Sequence, residues 1–112
     1  MAKNAATSGV DENGLRWEDV PFGGTTYRLR EITVEEGDMA FDAAYNPEKD
    51  TVNPRLRTRL EICSSLVSPA GLTVDDIGKW GKIKWLTLLT VYERLNALPA
   101  ADNEGNASGP TA

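Results

Sequence analysis

A chain of 112 residues with no histidine, one cysteine and a formal net charge of -5 has room for one modest domain with a single core. Cys63 alone excludes an intramolecular disulfide, and the lack of histidine removes the commonest general base and transition-metal ligand. No run approaches the ~20 apolar residues of a membrane span, and the acidic balance disfavours nucleic acid.

Residues 1–14, MAKNAATSGVDENG, are small, polar and aperiodic. Too little apolar surface is present to offset the entropy of ordering, which predicts a flexible arm. The same stretch lacks the apolar core of a secretory signal, so nothing marks export and a reducing cytoplasm is expected. A single globular domain is expected over residues 15–98, opening with a hairpin over 17–31. Gly23-Gly24 separates two extended runs there and suits the positive φ angles of a two-residue turn. In the second run Tyr27 and Leu29 alternate with Thr26, Arg28 and Arg30, giving one inward and one wet face.

Thr33-Val34-Glu35-Glu36 fits a capping box and starts a helix predicted over 34–45, with Val34, Phe41 and Tyr45 on one side. After the polar loop PEKDTV, Asn53-Pro54 is an N-cap followed by proline at the first helical position. The helix predicted over 54–67 carries the stripe Leu56, Leu60, Cys63 and Val67 at about 100° per residue. Thr73 and Asp76 cap a short turn over 74–78, and a last helix is predicted over 80–97, stopped by Pro99. Residues 99–112 are again polar and are expected to be a flexible tail. The expected fold is α+β and mostly helical: a hairpin, then about three packed helices between flexible ends. With about 80 orderable residues, self-association would add stability.

Few residues suggest chemistry. Cys63 lies on an apolar stripe with no histidine in the chain to activate it, so it is read as a structural thiol. The acidic group Glu35, Glu36 and Asp38 is a helix start favoured by the helix dipole, and the glycines form no phosphate loop, so no catalytic residue, cofactor or metal is expected. Arg55 and Arg59 share one side of their helix. They either cover the core with their stems while meeting acids of the first helix, or they contact an acidic partner. On the last helix Trp85, Leu88, Tyr92 and Leu95 make a core stripe with Val91 and Trp80 beside it, yet Ile83, Leu86 and Leu89 occupy much of the remaining circumference. A helix apolar nearly all round is central in a fold or buried between chains. Partner-binding candidates are therefore Ile83, Leu86, Leu89, Arg55 and Arg59.

The succession RLREITVEEGD, LRTRLEICSSLVSP, LTVDDI and WLTLLTVYERLNAL resembles the tail assembly chaperones of long-tailed bacteriophages over about residues 20–98. The resemblance implies a non-enzymatic protein in the cytoplasm of an infected bacterial host. It would keep the coiled-coil-prone tape measure protein soluble, recruit tail tube subunits in virion morphogenesis, and be absent from the finished particle. It would bind neither nucleic acid nor membrane, and homo-oligomerisation stays open. A longer product made by ribosomal frameshifting is common in such families. Two other classes stay open beside it, a structural phage connector and a small bacterial regulatory adaptor.

Overall fold

The Gly23-Gly24 turn, with φ of 59° and 83°, closes a hairpin around which the domain is built. In the computed structural model, which describes residues 6–98, strand β2 (Arg16–Phe22) pairs antiparallel with β3 (Thr25–Arg30), placing Val20 opposite Tyr27. Tyr27 and Leu29 are buried, as the alternation requires. Two further strands extend this pair. Ser8–Val10 forms β1 against β2, and Leu66–Ser68 forms β6 against β3, giving a four-stranded antiparallel sheet in the order β1-β2-β3-β6. The expectation of an unstructured arm over 1–14 therefore fails at Ser8–Val10. Gly9 permits this pairing, because a Cβ there would stand 3.1 Å from the Trp17 ring. The expected tail, residues 99–112, lies outside the described residues.

Helix α1 (Val34–Ala44) begins at Thr33, whose hydroxyl accepts from the Glu36 amide while the Glu36 carboxylate accepts from the Thr33 amide. The two-residue strands β4 (Tyr45–Asn46) and β5 (Thr51–Val52) pair antiparallel across the polar loop that follows α1. Helix α2 (Pro54–Ser65) starts at the Asn53 cap. Its end corrects the predicted boundary at 67: the chain turns extended at Leu66, where it enters the sheet. Helix α3 (Val74–Gly78) is held by a Thr73–Asp76 capping box, and α4 (Lys82–Leu95) follows. The domain is thus α+β, with the four-stranded sheet and four helices sharing it among the described residues; helix is the larger share, but the sheet has four strands where the sequence predicts a hairpin alone.

α4 lies against β2 and β3, and α2 contacts both of these layers. Leu88, Val91, Tyr92 and Leu95 are buried there with Val20, Tyr27, Leu29, Ile62, Leu66 and Ile77. Each large side chain so buried gives about 1.5–3 kcal/mol before entropy is counted. The far end of α4 is tied to β2 by charge: the Arg16 guanidinium donates to the Leu95 and Ala97 carbonyls, and Arg94 pairs with Glu18 at 2.6 Å. A cation on the last carbonyls of a helix meets the negative end of its dipole.

α1 packs on α2 through Ala40 and Ala44, which are buried. The side that Val34, Phe41 and Tyr45 share is an outer one: Val34 is 83% exposed and the two rings stack on each other at the surface. Small alanines allow close approach of the two helices, and larger side chains would hold them apart. The α2 stripe is also shifted. Ile62 and Ser65 are its buried residues, Leu56, Leu60 and Cys63 are half-buried, and Val67 is exposed in β6.

One ion pair sets an acid limit on this scaffold. Arg30 donates from both terminal nitrogens to Glu36, at 2.9 and 2.7 Å. The guanidinium, helped by the Thr33 amide, holds the Glu36 carboxyl at about 2, against an ordinary value of 4.5. A carboxyl lowered by folding contributes stability that is present above its unfolded value and lost as pH falls through its folded value. The urea midpoint is expected to drop between about pH 4.5 and pH 2, with about 1–2 kcal/mol attributable to this partly screened pair. Glu36→Gln should flatten that part of the pH profile.

Candidate functional site

Helical geometry divides α4 into three strips. Leu88, Val91, Tyr92 and Leu95 face the sheet. On the solvent side Ile83 is 69% and Leu86 45% exposed. Between these strips Trp85 and Leu89 are half-buried and turn toward α2 and α3. The core stripe therefore runs through Val91 rather than Trp85.

That intermediate strip is one wall of an open groove of about 530 Å³. Pro54, Arg55, Thr58 and Arg59 of α2 form the opposite wall, Ile77, Gly78 and Trp80 close one side, and Lys82 and Glu93 stand on the α4 rim. Trp80 is fixed by an edge-on contact with Tyr27, ring centroids 5.9 Å apart, and by the Lys84 ammonium 4.6 Å from its ring. Gly78 stands beside the Arg59 side chain, and even a Cβ there would make only ordinary van der Waals contact, 3.9 Å from Arg59 Nη1.

The five candidates from the sequence thus separate into two adjoining places. Arg55, Arg59 and Leu89 line the groove together, whereas Ile83 and Leu86 form an exposed apolar ridge on α4. Trp80 and Trp85, assigned to the core by spacing alone, are half-buried groove residues. Lys82, Thr58 and Glu93 also line the groove without having been singled out. The Arg55–Thr58–Arg59 spacing carried a signal for one wall, because residues three and four apart share a helix face.

Charge in the groove runs against that of the chain. Three cations meet one anion along its lining, although the whole sequence carries -5. Among the described residues Arg55, Arg59 and Lys82 form no ion pair. The expected meeting of Arg55 and Arg59 with acids of α1 is therefore not observed. Arg57 is the α2 arginine that faces α1, its guanidinium 5.3 Å from the Phe41 ring and paired with Glu61 at 3.1 Å. Successive residues rotate by about 100° around a helix, so Arg57 cannot share the groove side with its two neighbours.

The groove offers recognition groups. Two guanidiniums and an ammonium provide charge-assisted donors for a carboxylate, and the tryptophans and Leu89 provide apolar area. The Thr58 hydroxyl is engaged, donating to the Pro54 carbonyl at 2.9 Å. Burial pushes the Cys63 thiol up, which disfavours the nucleophilic thiolate. Burial and its donation to Glu61 at 2.5 Å likewise push the Tyr92 hydroxyl up, so it stays protonated.

A smaller depression of about 320 Å³ beside β3 and β6 is lined in part by Asp19 and Arg28. These pair through two hydrogen bonds of 2.7 and 3.0 Å, while Arg28 also lies 3.8 Å from the Trp17 ring centre. Its charged groups are satisfied by one another, which leaves the α2–α4 groove as the better candidate. Among the described residues no group of three or more histidine, cysteine or acidic side chains is placed to hold a metal ion, and no helix is long and apolar enough to cross a membrane. The chain matches no protein-family model, and no curated protein or solved structure is significantly similar to it.

Proposed function

We propose that this chain is a tail assembly chaperone of a long-tailed bacteriophage, a non-enzymatic docking protein of the infected host's cytoplasm. Its client is the tape measure protein, and tail tube subunits are recruited around the complex. The observation that carries the reading is the continuity of exposed Ile83 and Leu86 with a groove floored by Trp80, Trp85 and Leu89. An amphipathic client helix lays its apolar face along such a surface, as in helix-in-groove recognition generally. Arg55 and Arg59 bind acidic residues flanking that face, and net charge keeps the complex dispersed.

Ile83 and Leu86 are the residues to change, because Leu89 also packs on the core. Ile83→Asp with Leu86→Asp is expected to leave unfolding unchanged and to weaken client binding about 30-fold, as for two contact side chains of about 1 kcal/mol each. The test is co-expression with a long coiled-coil tape measure protein, reading its soluble fraction. Retention of the client by a folded double variant would overturn the reading.

A further inference from the structure

We propose that copies of this protein dock head to tail, the acidic outer face of α1 on one copy seating against the Arg55–Arg59 wall of the groove on the next. α1 turns Ala40 and Ala44 to α2, so Glu35, Asp38 and Asp42 fall on its opposite side, within an arc of about 60°. All three are exposed, and none is in an ion pair among the described residues. Exposed Val34 and Met39, at 83% and 64%, flank this acidic stripe. Arg55 and Arg59 are likewise without ion pairs and line the α2 wall with Trp80 and Trp85 opposite.

The two surfaces match in spacing as well as sign. Asp38 and Asp42 stand one helical turn apart, about 6 Å, as do Arg55 and Arg59. A helix laid along that wall forms both pairs in one register, with Val34 or Met39 against the groove aromatics. The stripe points away from α2 and the groove lies on the side of α2 toward α3 and α4, so one molecule cannot satisfy both. Joining unlike patches is a heterologous contact, which yields open chains or rings rather than a closed symmetric pair. Client and neighbouring copy then compete for Arg55 and Arg59, and the free protein covers its own groove.

The test uses the chain alone, so it stands or falls apart from the client reading. In sedimentation equilibrium the average mass is expected to rise with concentration beyond that of a dimer at about 0.01 M salt and to fall toward the monomer at about 1 M, where the Debye length is ~3 Å. Asp38→Lys with Asp42→Lys makes stripe and groove both basic; Arg55→Glu with Arg59→Glu makes both acidic. Each double variant alone should self-associate at least about 10-fold more weakly, with thermal unfolding confirming that it is folded. Mixed together, the two should associate again, because every junction between unlike variants pairs opposite charges. A wild-type chain monomeric throughout, variants that associate like it, or a mixture that stays monomeric would overturn the proposal.

Discussion

Leu88→Ala is expected to lower the unfolding free energy by about 3–4 kcal/mol, read as a shift of the urea midpoint with unchanged slope. Leu88 is 0% exposed and belongs to the cluster formed by α4, β2, β3 and α2. Alanine removes its transfer free energy and leaves a cavity between two rigid layers that cannot close on it. A domain of this size has about 5–10 kcal/mol in all, so the variant should be partly unfolded at modest urea. Ile83→Ala on the same helix supplies the contrast. At 69% exposure it should change stability by no more than about 0.5 kcal/mol. Equal effects at the two positions would contradict the division of α4 into core and docking strips.

Ser65→Val should cost about 3 kcal/mol, a large effect for a residue of so little apolar area. Ser65 is 0% exposed at the point where α2 becomes β6. Its hydroxyl donates to the Arg30 carbonyl at 2.6 Å and accepts from the Arg30 amide at 3.3 Å. It thereby pins the end of β3 beside the irregular register through which β3 meets β6. Valine withdraws both hydrogen bonds and crowds the junction with an added methyl group. Ser65→Ala withdraws the bonds without the crowding and should cost about 1–2 kcal/mol. Amide hydrogen exchange at Arg30 checks the mechanism: it should accelerate in both variants, while the Tyr27 amide in mid-strand follows global stability alone.

Local signals in the sequence and long-range consequences of the fold part company at particular residues. Gly23-Gly24, the Thr33–Glu36 box, Asn53-Pro54 and Thr73–Asp76 each act over four residues or fewer, and the structure forms the turn and caps that they encode. Leu66 and Val67 continue a helical stripe equally well, and only pairing with β3, far back in the chain, makes them a strand. A three-residue strand such as Ser8–Val10 is too short to show a period at all. On α1 the rings of Phe41 and Tyr45 outweigh Ala40 and Ala44 in any hydrophobic reading, yet close helix packing selects the alanines.

The candidate site shows the same boundary. Helical spacing put Arg55 and Arg59 on one side and left Ile83, Leu86 and Leu89 outside the core stripe, and Ile83 and Leu86 are indeed exposed. α3 and Trp80 close one side of the groove that α2 and α4 line. Trp80 and Trp85 pack against the core cluster and at the same time stay half-buried as groove lining, and no periodicity within α4 encodes that second role.

The three tryptophans test directly whether the groove is where a partner binds. Trp80 and Trp85 line it, whereas Trp17 lies on the sheet face opposite Val20, under the Arg28 guanidinium. In a nitrogen–proton correlation spectrum each indole gives its own signal. Titration with an amphipathic helical segment of the tape measure protein is expected to move the Trp80 and Trp85 indole signals together and to leave Trp17 in place. Binding that shifts Trp17 alone, or that shifts none of the three, would contradict the account.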